Sequence, residues 1–211
     1  MTYNRLKNKR VLITQSEDYM GRDIKDLFEE EGAIVFADNR DLTPDIAAKN
    51  LVEEIGHIDI LIANLAAVNP KTSIEDTSEE IWNNGFDIMV HPLHRLVRSC
   101  IPQMKERKSG KIIVMGSATA LRGQKNRSSY SAARGAQVAY VKSVGIEVAS
   151  FNIQINLIAQ NFVENPSYYP PDYIKTEEFK NRMKEVPINR LATGREDAML
   201  ALFLASEESN F

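Results

Sequence analysis

Short runs of apolar residues alternate with amphipathic stretches along most of the chain, and this alternation limits the possible folds more than any other feature. The apolar runs, each long enough for one buried strand, lie at residues 11–13, 33–37, 58–62, 111–115 and 153–158. The stretches between them carry apolar residues three and four positions apart, which is the spacing of helices. Strands joined by helices run parallel and are covered on both faces. The sequence therefore predicts an α/β fold.

This α/β fold is expected to be a Rossmann-like, doubly wound parallel sheet in three layers, with helices on both faces. The predicted helices span residues 20–31, 43–55, 77–106 and 129–149. Pro92 and Pro102 are expected to bend the third helix or to mark its ends, because proline lacks an amide hydrogen. Since the 211 residues contain no repeat, linker or low-complexity segment, residues 1–211 are expected to form a single domain.

The composition excludes several classes of function. The formal net charge is -3, which gives no general attraction to nucleic acid or to acidic membranes. The first residues hold only a short apolar run, which is too short for a secretory signal. We therefore expect a cytoplasmic protein with no nucleic-acid partner and no membrane partner. His91 and His94 lie three residues apart, but no cysteine or carboxylate joins them at metal-ligand spacing, so no metal site is expected.

Polar residues follow three of the predicted strands. Thr14 follows the first strand, Ser117 follows the fourth, and Gln160 lies just after the last run, which ends at Ile158. Ligands of open α/β sheets bind beyond the carboxyl ends of the strands. The three segments are therefore expected to share one rim of the sheet and to form the binding site there.

The turn after the first strand lacks most of the glycines that a dinucleotide needs. Such glycines let the backbone approach the pyrophosphate and keep the following helix N-terminus open to it. Here Gln15 and Tyr19 occupy two of the glycine places, Glu17 and Asp18 add negative charge, and only Gly21 remains. We interpret this turn as a nucleotide loop that has been filled, with Tyr19 lining a smaller pocket.

A divergent but working nucleotide loop is the alternative interpretation of this turn. Asp38 ends the second strand, where an acidic residue can bind the adenine ribose of a dinucleotide. An aspartate in this position is also common simply as a turn or cap residue. The loss of glycine and the added negative charge both disfavour the nucleotide.

Ser117, Tyr130 and Arg134 form the pattern S-x12-Y-x3-R, the strongest candidate for a catalytic group. Tyr130 and Arg134 are four residues apart on a predicted helix and therefore share one face. A tyrosine acts as a base at pH 7 only if its pKa falls by about 3 units, roughly 4 kcal/mol, and a neighbouring guanidinium favours the phenolate in this way. The alternative, without a catalytic role, is a tyrosine and an arginine that stack on a helix surface.

Together these motifs make the chain resemble the short-chain dehydrogenase/reductase superfamily throughout its length. That superfamily usually has a lysine where this chain has Arg134. With the lost glycines, this replacement resembles the halohydrin dehalogenase branch, which is marked by T-x4-F/Y-x-G in the first turn and by S-x12-Y-x3-R. Both patterns are present, the first as Thr14, Tyr19 and Gly21.

The resemblance implies the conversion of vicinal haloalcohols into epoxides with release of halide, and the reverse ring-opening by small anions, without any cofactor. It implies catalytic roles for Ser117, Tyr130 and Arg134, and a homotetramer as the assembly. The residues it implies for halide and substrate binding are Thr14, Tyr19, Gln160, Asn161, Phe162 and Tyr169. Without the resemblance, the segment 158–163 indicates only a polar loop with aromatic anchors.

The family pattern normally continues past residues 202–206 with another strand and a Gly-rich tail, whereas this chain ends at Phe211. The sheet is therefore expected to lack its last strand, either through truncation or because another subunit covers that edge. Two other functions stay open. One is an NAD(P)-dependent oxidoreductase with a degenerate loop, and the other is a non-catalytic protein of the same fold.

Overall fold

Five parallel strands form the centre of the computed structural model, which describes residues 4–67 and 70–210. The strands are β1 (Arg10–Thr14), β2 (Ile34–Asp38), β3 (Ile60–Ala63), β4 (Gly110–Met115) and β5 (Ile153–Ile158). Their order across the sheet is β2-β1-β3-β4-β5, so the chain reverses its direction of winding between β1 and β3. In such sheets the binding crevice opens beyond the carboxyl ends of the strands, next to this reversal.

Helices cover both faces of the sheet, which confirms the predicted three-layer, Rossmann-like fold. The helices are α1 (Gly21–Glu30), α2 (Ala47–Ile55), α3 (Glu79–Met89), α4 (His91–Arg107), α5 (Thr119–Arg122), α6 (Ser128–Val148), α7 (Pro171–Ile174), α8 (Glu177–Met183) and α9 (Gly194–Ala205). Successive strand residues point to opposite faces. Leu12 and Leu61 therefore pack with α2, α4 and α6, whereas Ile13 and Ile62 pack with α1 and α9.

The predicted helix over 77–106 is wrong as a single element, because the structure has two helices that meet at Val90. Pro92 lies in the first turn of α4, where its missing amide hydrogen costs no helical hydrogen bond. Pro102, by contrast, is accommodated inside α4. One of the two prolines therefore marks a helix boundary, as the sequence predicted, and the other does not.

Two other helix boundaries differ from the sequence prediction. The helix predicted from residue 43 begins at Ala47, because the backbone N–H and hydroxyl of Thr43 bond the Asp41 carboxylate in a turn at 2.9 Å each. After β5, the helices α7 to α9 follow an irregular segment for which the sequence pattern predicted no helix. A capping box between Thr193 and Glu196 starts α9, which packs against α1.

The outer strands of the sheet, in the part of the chain that the structure describes, are β2 and β5. In the same residues, no helix has the length and apolar character needed to cross a membrane.

Candidate active site

Tyr130 and Arg134 lie on the first two turns of α6, on the face that packs toward the carboxyl rim of the sheet. Arg134 Nε donates a hydrogen bond to the Tyr130 hydroxyl oxygen at 3.1 Å. Both side chains are buried, with 8% of Tyr130 and 3% of Arg134 exposed. The pair predicted from the x3 spacing is therefore a buried, hydrogen-bonded unit, and the alternative of a stacked pair on the helix surface is wrong.

Main-chain carbonyl groups hold the Arg134 guanidinium in place. Its Nη1 donates to Met115 O at 2.8 Å, at the end of β4, and to Leu65 O at 3.1 Å, just after β3. It also donates to the Gln137 side chain at 3.0 Å, and Gln137 in turn donates to Met89 O at 2.8 Å. No carboxylate of the described residues pairs with Arg134. Its charge therefore acts on Tyr130 without a compensating anion.

The environment of Tyr130 favours its phenolate. Burial by itself would raise the pKa of Tyr130, but the charge and hydrogen bond of Arg134 outweigh this effect. The hydroxyl groups of Tyr168 and Ser117, as hydrogen-bond partners of the Tyr130 oxygen, act in the same direction. The result is a pKa for Tyr130 below the ordinary value of 10.

Three other phenols of the site have pKa values shifted in the opposite direction. Burial raises the pKa of Tyr168, and the neighbouring Tyr130 raises it further. Burial also raises the pKa values of Tyr19 and Tyr169. Opposite shifts in adjacent groups assign the roles of acid and base. Tyr130 is the phenol suited to accept a proton, and Tyr168 remains a neutral donor beside it.

Ser117 lies in the loop that follows β4, half-buried and facing the same space. Its Oγ is 2.9 Å from Thr119 Oγ1 and accepts a hydrogen bond from Thr119 N at 3.3 Å. The loop is tied to the segment after β5, because Ala118 N donates to Gln160 O at 2.7 Å. These contacts fix the serine hydroxyl at the rim that Tyr130 faces.

The first turn is filled by its own side chains. The Gln15 amide donates to Ala66 O at 3.1 Å and accepts from Ala66 N at 2.8 Å, so it bridges to the loop after β3. Asn64 Nδ2 donates to the carbonyls of Gln15 and Asp18 at 2.9 and 3.0 Å. The backbone N–H groups, which an open phosphate loop presents to its ligand, have protein acceptors here. Ser16 N donates to Asp38 O at 3.2 Å, Glu17 N to Asn39 Oδ1 at 2.9 Å and Gly21 N to Asp18 O at 2.9 Å.

Gly21 and Tyr19 show why the chain takes this path. A Cβ at Gly21 would lie 2.3 Å from Gln15 O and 2.6 Å from Ser16 Cα, so only glycine allows α1 to start against this turn. Tyr19 has a φ of 51°, a left-handed conformation that is uncommon for a non-glycine residue. Gly21 and Tyr19 therefore determine the backbone conformation of the first turn.

Asp38 is the residue that supports the alternative interpretation of a nucleotide site. Its carboxylate is already bound by another residue of the chain. Arg40 Nε donates to its carboxylate at 2.7 Å and Arg40 N at 3.1 Å. Arg40 also pairs with Glu54 at 3.0 Å. A dinucleotide ribose would have to displace this ion pair.

A cavity of about 470 Å³ opens above Tyr130 at the carboxyl rim. Seven of the nine predicted site residues line it, namely Tyr19, Ser117, Tyr130, Arg134, Gln160, Asn161 and Tyr169. Neither Asp38 nor residues 14–18 are among the lining residues. The cavity therefore lies over the candidate catalytic group and does not extend along the would-be nucleotide turn.

Thr14 and Phe162, the other two predicted binding residues, lie outside the cavity lining. Thr14 is fully buried, and its hydroxyl donates to Asn64 O at 3.0 Å, which joins β1 to the loop after β3. The Phe162 ring lies under two guanidinium groups, with Arg122 Cζ 5.8 Å and Arg182 Cζ 5.4 Å from its centroid. Both residues therefore support the site from behind.

The side chains of the predicted halide loop also have protein partners. Gln160 Nε2 donates to the Asp197 carboxylate on α9. Asn161 Oδ1 accepts from Arg122 Nη2 at 2.8 Å. Both residues still line the cavity, so the loop is part of the wall in the position that the sequence predicted.

Tyr168 is a site residue that sequence reasoning missed. Its ring packs against Tyr19, with centroids 5.5 Å apart, and its hydroxyl oxygen lies 3.4 Å from Ala67 O. The family resemblance implies Tyr19 and Tyr169 as the tyrosines of this wall, and it does not include Tyr168. In the sequence, the only sign of Tyr168 as a site residue is that it adjoins Tyr169. Spacing alone does not show which of the two rings faces Tyr130.

The sequence model of the enoyl-(acyl carrier protein) reductase family matches residues 8–211. Among curated relatives, the 3-oxoacyl-(acyl carrier protein) reductase FabG of Chlamydia muridarum is 29% identical over 238 residues, covering 98% of this chain and 93% of the relative. Dehydrogenase/reductase SDR family member 6 of Danio rerio is 29% identical over 232 residues, covering 98% and 94%.

Solved structures give two further comparisons. A dehalogenation enzyme aligns with a TM-score of 0.86 at 27% identity, covering 97% of this chain and 93% of that one. The dehydrogenase Cj0485 aligns with a TM-score of 0.88 at 24% identity, covering 100% and 91%. The second similarity, at this level of identity, supports the fold alone.

Proposed function

The chain belongs to the enoyl-(acyl carrier protein) reductase family of short-chain dehydrogenases/reductases, a family of enzymes, and on this premise we propose that it is a halohydrin dehalogenase. In this proposal it converts vicinal haloalcohols into epoxides without a nicotinamide. One observation carries the proposal. The Tyr130–Arg134 base lies in a cavity beside a first turn that Gln15 fills.

The proposed reaction uses the residues in the order in which they meet the substrate. Ser117 donates a hydrogen bond to the substrate hydroxyl oxygen, and the Tyr130 phenolate accepts the hydroxyl proton. The oxygen then forms a bond to the neighbouring carbon while the carbon–halogen bond breaks and its electron pair leaves with the halide. The products are an epoxide, a halide ion and a proton, which Tyr130 returns to solvent.

Arg134 is assigned the role of setting the pKa of Tyr130. Here the guanidinium is committed to Tyr130, Gln137 and two main-chain carbonyls. Arginine keeps its charge when it is buried, which suits a residue whose task is to stabilise a phenolate.

The departing halide is proposed to leave toward Gln160 and Asn161, with the Tyr19 and Tyr168 rings as the opposite wall. The structural similarity to a dehalogenation enzyme at 27% identity supports this assignment. An anion at this place would need no full ion pair.

Release of chloride from 1,3-dichloro-2-propanol tests the proposed function. We expect release by the wild-type chain without added NADH or NADPH, and a loss of about 100-fold or more in kcat for Tyr130→Phe. Thr176→Ser, a change at a cap outside the cavity, serves as the folded control. Absence of release above background by folded wild-type protein would contradict the proposal.

NAD(P)H-dependent reduction of a carbonyl substrate is the second candidate function, because the sequence relatives at 29% identity are a 3-oxoacyl reductase and a dehydrogenase/reductase. It requires the first turn to open, with loss of the Gln15–Ala66 hydrogen bonds. Titration with NADH and NADPH separates the two functions. Binding at micromolar concentration together with absence of chloride release would favour the reductase.

A further inference from the structure

The cavity walls carry more positive charge than the dehalogenation of a simple haloalcohol needs. The cationic lining residues are Lys71, Arg122, Arg127, Arg134 and Arg182. Among the described residues, no aspartate or glutamate lines the same space. Arg134 serves Tyr130, but the other four cations have no part in the proposed proton transfer. A cavity with one sign of charge raises the local concentration of ligands of the opposite sign.

Several carboxylates near these walls have protein partners of their own. Asp197 accepts a hydrogen bond from Gln160, and burial raises the pKa of its carboxyl group. On α7 and α8 the carboxylates have their own partners: Asp172 with Lys175 at 3.3 Å, Glu177 with Lys180 at 2.6 Å, and Glu178 with the Tyr173 hydroxyl at 3.3 Å. In the described part of the chain, neither Arg122 nor Arg182 forms an ion pair with a carboxylate.

Arg122 and Arg182 both line the cavity, and both lie close to Phe162. Both guanidinium groups lie over the Phe162 ring, at 5.8 and 5.4 Å from its centroid. Both also oppose the effect of burial on the pKa of Tyr169, which shows that their charges reach the wall formed by that ring. They come from α5 and α8, two elements that are distant in the sequence.

The size of the cavity leaves room for this second group of contacts. A volume of about 470 Å³ is in the range of sites that bind drug-sized ligands. A three-carbon haloalcohol would occupy only the part next to Tyr130 and Ser117. The part beside Arg122 and Arg182 would then be filled by water alone.

We infer that the substrate carries a terminal oxyanion, a carboxylate or a phosphate monoester, bound by Arg122 and Arg182 while its haloalcohol carbons reach Tyr130. This inference rests on the proposed function and names its substrate class. Guanidinium groups present paired donors that match the oxygens of both kinds of anion. The distance from Arg122 and Arg182 to Tyr130 then selects the length of the substrate's carbon chain.

Matched charged and neutral substrates test the inference. Chloride release is measured from 4-chloro-3-hydroxybutanoate and from its amide, which has nearly the same shape and no charge. We expect kcat/KM to be at least tenfold higher for the carboxylate, with a difference that shrinks as salt is raised. A second pair, 3-chloro-2-hydroxypropyl phosphate and 3-chloro-1,2-propanediol, compares phosphate with carboxylate. Equal or faster turnover of both neutral members would overturn the inference.

Three variants locate the anion site. Arg122→Gln and Arg182→Gln should each raise KM for the preferred anion about tenfold, so that the ratio between charged and neutral substrate falls toward one. Lys180→Gln removes a positive charge from the same helix as Arg182, outside the cavity, and should leave the ratio as in wild type. Arg122 is exposed, so Arg122→Gln should fold even if Arg182→Gln does not. An unchanged ratio in Arg122→Gln would refute its assigned role.

Binding separates failure of the inference from failure of the proposed function. Calorimetry with Tyr130→Phe and the same carboxylate and amide measures affinity where no turnover occurs. Preferential binding of the carboxylate, with no chloride release by wild type, would support the anion site and reject the dehalogenase. Turnover of both substrates without preferential binding would support the dehalogenase and reject the anion site.

Discussion

At the scale of single residues, Arg134 decides whether Tyr130 can act as a base, because burial alone would keep the phenol protonated. In wild type, kcat/KM should rise with pH and level off above a pKa that lies below 10. In Arg134→Gln, burial acts without the opposing charge, so the rising limb should move to higher pH than in wild type. Rates of halide release measured from pH 6 to pH 11 check this shift.

Arg134→Lys is the control for this charge effect. Lysine keeps a cation near Tyr130 but loses the Nη1 group that bonds Met115 O and Leu65 O while Nε bonds Tyr130. In Arg134→Lys, the rising limb of kcat/KM against pH should therefore lie between those of wild type and Arg134→Gln. Identical pH profiles of kcat/KM for wild type and Arg134→Gln would show that Arg134 does not lower the pKa of Tyr130.

Tyr168 offers a second prediction at this scale, because its hydroxyl helps to hold the pKa of Tyr130 low. Tyr168→Phe should move the rising limb of kcat/KM to higher pH while the ring contact with Tyr19 is retained. Tyr169→Phe changes the neighbouring residue, whose ring packs on Phe179, and should leave the limb in place. A shift in Tyr169→Phe but not in Tyr168→Phe would reverse the assignment of the two rings.

The candidate residues differ in how well spacing alone predicts them. Tyr130 and Arg134 are neighbours on one helix, so their contact follows from helical periodicity. Thr14 belongs to a recognisable motif, yet its hydroxyl faces the loop after β3 and not the cavity. Tyr168, Arg122 and Arg182 reach the site from separate segments of the chain. Their contribution depends on tertiary packing that no local pattern encodes.

At the scale of elements, the first turn and α1 form one closed unit that depends on Gly21. A methyl group at this position would lie 2.3 Å from Gln15 O and 2.6 Å from Ser16 Cα, both backbone atoms that cannot move aside without opening the turn. We expect Gly21→Ala to destabilise the fold by about 3 kcal/mol, as overpacking does, and to lower halide release because Tyr19 is displaced. Chemical unfolding measures the loss.

Gly145→Ala is the matched control for Gly21→Ala, since both are helical glycines. At Gly145 a methyl group would meet only Ile155, at 3.4 Å from its Cγ2 and 4.0 Å from its O. Replacement of a helix-interior glycine by alanine should raise stability by about 0.5–1 kcal/mol. Equal stability of the two variants would show that the first turn can accommodate a methyl group at position 21, in contradiction to the short distances given above.

Element boundaries were predicted where a local signal was sufficient. The strands follow the apolar runs to within two residues at either end, because a strand buried on both faces needs such a run. The break at Val90 was predicted only as a bend or an end at Pro92, since proline is compatible both with a first turn and with a kink. Helices α7 to α9 had no long amphipathic repeat to reveal them.

At the scale of the whole molecule, the fold brings together cations that are distant in sequence. Lys71 follows β3, Arg122 ends α5, Arg127 precedes α6 and Arg182 lies in α8. The formal net charge of -3 gives no sign of this concentration. The sequence could therefore predict the contact between Tyr130 and Arg134 and the parallel sheet, but not the charge of the cavity.

A homotetramer, implied by the family resemblance, gives the last prediction. Gly135 lies in the middle of α6, where glycine weakens a helix by about 0.5–1 kcal/mol relative to alanine. Nothing in the described residues lies within 4 Å of a Cβ built there, so packing within the chain does not explain the glycine. Ile146, three helical turns further along, is 84% exposed. Close contact between subunits along this face of α6 would account for both residues.

Gly135→Arg tests the subunit contact because its effect differs in sign between the two states of assembly. In an isolated chain, arginine at an open helical position should raise stability slightly. In a tetramer built on α6, the same side chain should separate the subunits. Light scattering should then give four times the chain mass of 23.8 kDa for wild type and a smaller particle for the variant. A wild type that elutes at the mass of one chain, or a variant that remains tetrameric, would place the contact elsewhere.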